Sequence, residues 1–355
     1  MKRKEVFLLE TKIVTITELN NDAKEKLRQA ASILSSGGLV VMPTETVYGL
    51  GGDATNADAA HKIYEAKGRP SNNPLIIHIA EPNEAESYCH TSPLYYKLAE
   101  AFMPGPLTVI LPKKDTIPAS VTGGLDTVAV RCPAHSVANA LIRAFGKPIA
   151  APSANISGRP SPTCAKYVID DLCEHVDMII DGGQCEIGLE STIVKIDGDT
   201  LTLLRPGAVT YDALTMLCER VIIADAVTDK LKEGETVLSP GMMYRHYSPK
   251  TPVVLLDGDD DKFVEFIRSE QKRTGGKCAV ICYDGEEKLV GTENVITIGK
   301  KDDLASHGKR IFTALRESDE FGADIIYAHL PPKDGLGLAL YNRMIRAAAH
   351  TVKKI

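Results

Sequence analysis

Residues 43–52, "PTETVYGLGG", follow the apolar run "LVVM" and set two threonine hydroxyls, a carboxylate and a phenol beside three glycines. A buried core has no use for so much polarity directly after a strand, and in open α/β sheets ligands gather where strands run out into loops. Other stretches share this character. "KGRPSNNP" places Lys67 and Arg69 around one glycine, an ammonium beside a planar fork, which is the combination that grips a phosphate chain. His78 lies in "LIIHIA", and Arg131 ends "DTVAVR". "PSANISG" offers Ser153, Asn155 and Ser157, "ESTIV" opens on Glu190 and Ser191, and "LRPG" holds Arg205.

Each of these also has an ordinary structural explanation. Lys-Gly-Arg after a helix reads equally as a solvated C-cap, and "PSANISG" as an Asx or Ser turn. His78 among aliphatic residues reads as a satisfied core histidine. Arg131 falls where a strand is half buried, and a buried guanidinium needs an anion, supplied either by the protein or by a ligand. Glu45 and Glu190 share no spacing that makes them a catalytic pair, and neither receives an acid/base role.

The elements that must hold these groups alternate. Spacing and turn signals predict helices over 22–35, 58–66, 135–146 and 164–173, with strands over 39–42, 75–80, 148–151 and 178–180. "DGD" at 197–199 reads as a hairpin turn, so the sheet is expected to be mixed. Periodicity is lost over 224–247, a linker candidate. Beyond it, strands at 253–256, 279–283, 295–298 and 325–329 alternate with helices at 261–271, 304–317 and 338–350, a small doubly wound α/β domain. "GLGLAL" lacks the third glycine of a dinucleotide fingerprint, and "TGGKC" lacks the upstream glycine and following hydroxyl of a Walker loop.

At 355 residues, 44% hydrophobic and 25% charged, the chain is expected to fold as two soluble domains. Its apolar runs are strand-sized, so no membrane span is expected, and the four or five apolar residues after "MKRK" are too short for a signal core. The expected location is the cytoplasm. Eight scattered cysteines, with three residues between the closest pair, show no zinc-ligand spacing and read as small buried hydrophobes. The net charge of −6 argues against a general nucleic-acid binder, yet residues 61–169 hold eleven Lys/Arg against seven Asp/Glu, which suits an anionic ligand.

Taken in order, "PTETVYGLG", "EAKGRP", "NPLIIHIA", "PGPLT", "GGLDTVAVR", "APSANISG", "PSPT", "ESTIV", "LRPG" and "YRHYSP" resemble the threonylcarbamoyl-AMP synthases of the two-domain type. The resemblance implies an α/β fold in which a YrdC-like twisted mixed-sheet catalytic domain (12–220) is followed by a linker or lid (221–251) and a smaller Rossmann-like doubly wound domain (252–355). It implies formation of threonylcarbamoyl-adenylate and pyrophosphate from L-threonine, bicarbonate and ATP, with Mg2+ carried mainly on the ATP phosphates. A tRNA threonylcarbamoyl transferase would then place the product beside the anticodon.

Carried over by residue, the resemblance puts Thr44, Thr46, His78, Arg131 and Ser191 at threonine. It puts Lys67, Arg69, Asn73, Thr127, Ser153, Asn155, Ser161, Arg205, Tyr244 and Arg245 at ATP, with Lys67 and Arg69 stabilising charge in the reaction. The glycines of "GLGG" would admit the ligand close to the backbone. Met243 departs from the family pattern, which has lysine there. The aromatic and basic stretch at 244–247, between prolines, suits a lid better than a spacer. Two other readings stand beside this one: carbamoyl-adenylate formation by a related domain, against which the missing CxxC pairs count, and an RNA-binding module using the basic stretch at 61–169.

Overall fold

The computed structural model describes residues 9–228 and 247–355, which form two compact units. The first holds the described residues up to Gly105, together with Ile110–Ile156 and Cys164–Cys185. The second holds Pro106–Val109, Ser157–Thr163 and the described residues from Glu186 onward.

The first unit begins β1 (Lys12–Thr15), α1 (Asn21–Ser35), β2 (Val40–Met42), β3 (Gly49–Asp53), α2 (Ala57–Lys67), β4 (Ile76–His78) and α3 (Pro93–Phe102). It continues through β5 (Leu107–Pro112, of which residues 107–109 count with the second unit), α4 (Ala119–Thr122), β6 (Thr127–Arg131), α5 (Ser136–Phe145), β7 (Ile149–Ala150), α6 (Ala165–Leu172) and β8 (Met178–Asp181). Within it the strands lie in the order β1-β8-β2-β3-β7-β4-β6. The sheet is mixed: β8 is parallel to β1 and β2, β3 and β7 run antiparallel to their neighbours, and β4 and β6 are parallel.

Local sequence explains the helices. Asn20 caps α1 by accepting from the Ala23 N–H, and Ala23, Leu27, Ala30, Ala31 and Leu34 make one buried stripe. That stripe shares a core with Val137, Leu141 and Ile142 of α5 and with Val40, Met42, Ile149, Met178 and Ile180 from the sheet. Gly146 ends α5 in the left-handed region at φ 73, where glycine carries no Cβ penalty.

The glycines after "PTETVY" are not a loop. They form β3, which is buried throughout. A Cβ on Gly51 would sit 2.8 Å from Ile149 Cγ2 and 2.9 Å from the Val40 carbonyl oxygen, and one on Gly52 would sit 3.1 Å from Ile63 Cδ1. These glycines let β2, β7 and α2 close on β3. Gly51→Ala is therefore expected to cost about 1–3 kcal/mol in urea unfolding, the usual penalty of overpacking; an unchanged midpoint would show that the sheet can open without loss.

The second unit opens with β9 (Thr192–Asp197) and β10 (Thr200–Arg205), the antiparallel hairpin expected at "DGD", with Gly198 at φ 58. Then come α7 (Tyr211–Thr215) and β11 (Arg220–Ile223), which is parallel to β10. After a short 3-10 turn at Asp225–Val227 and the residues outside the description, the chain runs β12 (Val253–Asp257), α8 (Asp260–Thr274), β13 (Cys278–Cys282), β14 (Val295–Thr297) and α9 (Leu304–Glu320). It ends with β15 (Ile325–His329), α10 (Gly337–Ala347) and β16 (Val352–Lys354). These five strands form a parallel sheet in the order β14-β13-β15-β12-β16, the doubly wound domain expected from the alternation. The terminal β16 was not expected, because its three exposed residues carry no apolar period.

None of the eight cysteines forms a disulfide, and six are buried. Among the described residues no helix is long and apolar enough to cross a membrane.

Candidate active site

In the first unit, the "PTET" loop leaves β2 where Pro43 ends the strand, and its polar side chains turn inward. Thr44, Glu45 and Thr46 are all buried. The Thr44 hydroxyl donates to the Val47 carbonyl at 2.6 Å, accepts from the Val47 N–H at 3.2 Å, and lies 2.9 Å from the Thr46 hydroxyl. Arg131, the last residue of β6, donates from Nη1 to Thr46 Oγ1 at 2.8 Å and from Nε to the Gly105 carbonyl at 3.3 Å. Its Nη2 is 2.6 Å from Glu45 Oε1 in a buried ion pair.

The electrostatics follow from burial. Burial alone would raise the Glu45 carboxyl pKa, but the charge and hydrogen bonding of Arg131 outweigh it and hold the group below its usual value. His78, register neighbour of Arg131 across β4 and β6, is pushed down to about 3 by burial first and then by the Arg131 charge. It is a neutral imidazole at physiological pH, and its buried Nδ1 makes no hydrogen bond among the described residues.

A second group of candidates meets at the end of α2. Gly68 takes the left-handed cap at φ 59, as the sequence suggests, but Lys67 is not solvated: it is 2% exposed. Its ammonium donates to the main-chain carbonyls of Ser153 and Asn155, with Asn155 Oδ1 at 3.4 Å. Ser153 Oγ donates to Asn155 Oδ1 at 2.5 Å, and Asn155 Nδ2 donates to the Ile156 carbonyl at 2.8 Å. The Asx-type loop and the lysine are thus one assembly. Arg69 folds over its own loop, Nη2 donating to the carbonyls of Asn73 at 3.3 Å and Pro74 at 3.0 Å. Thr127 stands half-buried at the start of β6, roughly 13 Å along an extended strand from Arg131.

In the second unit, Ser191, Arg205 and Ser161 are buried. Arg205, at the end of β10, donates from Nε to the Ser191 carbonyl and from Nη2 to Ser191 Oγ, each at 3.0 Å. Ser191 Oγ is also 2.7 Å from Thr108 Oγ1. Ser161 Oγ donates to Glu190 Oε1, and the other oxygen of Glu190 accepts from Arg343 Nε at 2.9 Å. Tyr244 and Arg245 lie outside the described residues; Tyr247 is fully buried, its ring centroid 5.1 Å from that of Phe312.

Sequence reasoning did not single out Thr108 or Arg343, and left Glu45 and Glu190 without a role. Thr108 had a signal, the hydroxyl closing "PGPLT", directly on a strand. Arg343 had none: it falls in a helical pattern where a surface position is the ordinary reading.

Among the described residues the candidate groups are thus buried cations, hydroxyls and amides on loops that end strands of an α/β sheet, the class of surface that suits an anionic ligand and a small polar one. Residues 32–207 match the family model of Sua5, YciO and YrdC, described as telomere recombination, and residues 209–349 match that of the threonylcarbamoyl-AMP synthase C-terminal domain. The threonylcarbamoyl-AMP synthase of Pyrococcus abyssi is 42% identical over 337 residues, covering 93% of this chain and 96% of its own. That of Bacillus subtilis is 40% identical over 341 residues, covering 96% and 97%. The crystal structure of P. abyssi Sua5 complexed with L-threonine matches with a TM-score of 0.90 at 41% identity, over 97% of this chain and all of that one. The chain belongs to the threonylcarbamoyl-AMP synthase family.

Proposed function

We propose that the buried groups described above hold the substrates of the family's reaction, each at one stage of it. As a member of this family the chain is an enzyme that forms threonylcarbamoyl-adenylate and pyrophosphate from L-threonine, bicarbonate and ATP. The observation that carries the site reading is the buried Arg131 fork beside the Thr46 hydroxyl. It is bonded through Nε and Nη1 and ion-paired through Nη2, and a guanidinium carries five N–H donors in a fork that matches a carboxylate. By the resemblance, threonine is contacted by Thr44, Thr46, His78, Arg131 and Ser191. ATP is held by Lys67, Arg69, Asn73, Thr127, Ser153, Asn155, Ser161 and Arg205, and by Tyr244 and Arg245.

The threonine amine adds to the carbon of dehydrated bicarbonate and loses a proton, giving a carbamate. A carbamate oxygen attacks the α-phosphorus of ATP in line, a new P–O bond forms, and the bond to the β-phosphate oxygen breaks to release pyrophosphate. Such transfers need positioning and charge neutralisation more than a protein nucleophile, which is what Lys67 and Arg69 supply. Magnesium carried on the ATP phosphates would neutralise part of their charge. The donors on these loops fit that arrangement: they are ammonium, guanidinium, hydroxyl and amide groups. Among the described residues, the one trio of metal-ligand type, Asp260, Glu286 and His329, belongs to none of these loops.

In this reading residues 12–220 carry the chemistry, 221–251 connect, and 252–355 form the accessory domain. The enzyme works in the cytoplasm and hands its labile product to a tRNA threonylcarbamoyl transferase, with at most weak RNA binding of its own. Purified protein is expected to release pyrophosphate only when ATP, bicarbonate and threonine are all present. Equal release without threonine overturns the reading, and a requirement for RNA transfers the role to the basic stretch.

A further inference from the structure

Arg343 is fully buried on α10, a helix with no exposed residue. Its guanidinium spans two loops of the second unit. Besides the Glu190 carboxylate, Nη2 donates to the Glu190 carbonyl at 3.2 Å and Nη1 to the Pro206 carbonyl at 2.6 Å. Glu190 immediately precedes Ser191, and Pro206 immediately follows Arg205. The Glu190 carboxylate also takes the Ser161 hydroxyl, so one side chain of the accessory domain is tied to the backbone or side chains beside three proposed substrate contacts. On the same helix, Asn342 Nδ2 donates to the Val227 carbonyl and Arg346 Nη2 to the Ala226 carbonyl, each at 2.7 Å.

We infer that Arg343 is a positioning residue for catalysis: its fork sets the spacing of the "ESTIV" and "LRPG" loops and thereby the placement of Ser191 and Arg205, an inference that rests on the site reading above. A buried ion pair is a poor stability device, because well-packed apolar residues of like volume do as well or better. Arg343 makes two of its bonds to main-chain carbonyls on separate loops, which fixes geometry. Displacing a substrate contact by about 1 Å can cost on the order of 10²-fold in rate. Arg205 is itself bonded to Ser191 through Nε and Nη2, so a shift of either loop moves both groups.

The test is threonine-dependent pyrophosphate release by the full chain in a double-substitution cycle. Arg343→Met is expected to lower kcat by about 10–100-fold. Added to Arg205→Ala, it is expected to cost less than about threefold more, because a residue acting through Arg205 has little left to lose. If Arg343→Met does not fold, as judged by circular dichroism, the paired change Glu190→Gln with Arg343→Met removes the unpaired buried charge and carries the same cycle. Multiplicative losses, or a folded Arg343 variant with unchanged kcat, overturn the inference. Arg205→Ala with unimpaired turnover instead overturns the site reading on which it rests.

Discussion

Arg131→Met is expected to reduce threonine-dependent pyrophosphate release by about 10³-fold, near the upper end for loss of one electrostatic contact in a dry site, and to lower stability by about 3–5 kcal/mol. Methionine fills much of the space but leaves Glu45 buried without its cation. The pH dependence of stability should change as well. With Arg131 present, the Glu45 pKa is held below the usual carboxylate range, so the pair's contribution is complete above that range and is lost as pH falls through the folded-state pKa. Without Arg131 the two largest lowering influences go, leaving burial opposed only by the backbone hydrogen bonds of Glu45 and Ala134, so the pKa rises relative to the unsubstituted protein and the cost of the lost cation at neutral pH is relieved as acid protonates the carboxyl. Thermal melts from pH 4 to 8 should show the gap between the two proteins narrowing toward acid. A gap independent of pH would mean that Glu45 finds another cation in the variant, and turnover within tenfold would remove Arg131 from the threonine site.

Lys67→Ala is expected to lower turnover by about 10²-fold or more, the scale of removing one charge-stabilising donor. A helix-cap lysine would leave the melting temperature unchanged. The burial of Lys67 predicts otherwise: the carbonyls of Ser153 and Asn155 lose a charged donor, at about 1.5–3 kcal/mol, and the "SAN" loop loses its tie to α2. Calorimetry alongside pyrophosphate release separates the two effects. Turnover within a few-fold of the unsubstituted protein would make Lys67 a loop anchor and nothing more; an unchanged melting temperature would mean that water replaces it at both carbonyls.

Much of the fold was legible because its signals are local. The stripe of α1, the Gly68 and Gly146 caps and the "DGD" hairpin each depend on residues a few positions apart. That "GLGG" forms a crowded strand was not legible, for a specific reason. Glycine marks an open loop and a crowded strand equally well, and the atoms that crowd Gly51 belong to Val40 and Ile149, residues remote in sequence.

The sequence by itself determined the two α/β domains, the polar loops that end their strands and the strings that place the chain in its family. Only the tertiary structure decided where the charged heads go. Lys67 reaches carbonyls 86 and 88 residues away, Arg131 meets Glu45 from another strand, and Arg343 closes on Glu190 across 153 residues. The reason is physical. Periodicity and capping are fixed by neighbours along the chain, whereas the partner of a buried charge is set by strand order and helix packing, and a surface lysine and a buried one are spelled with the same residue.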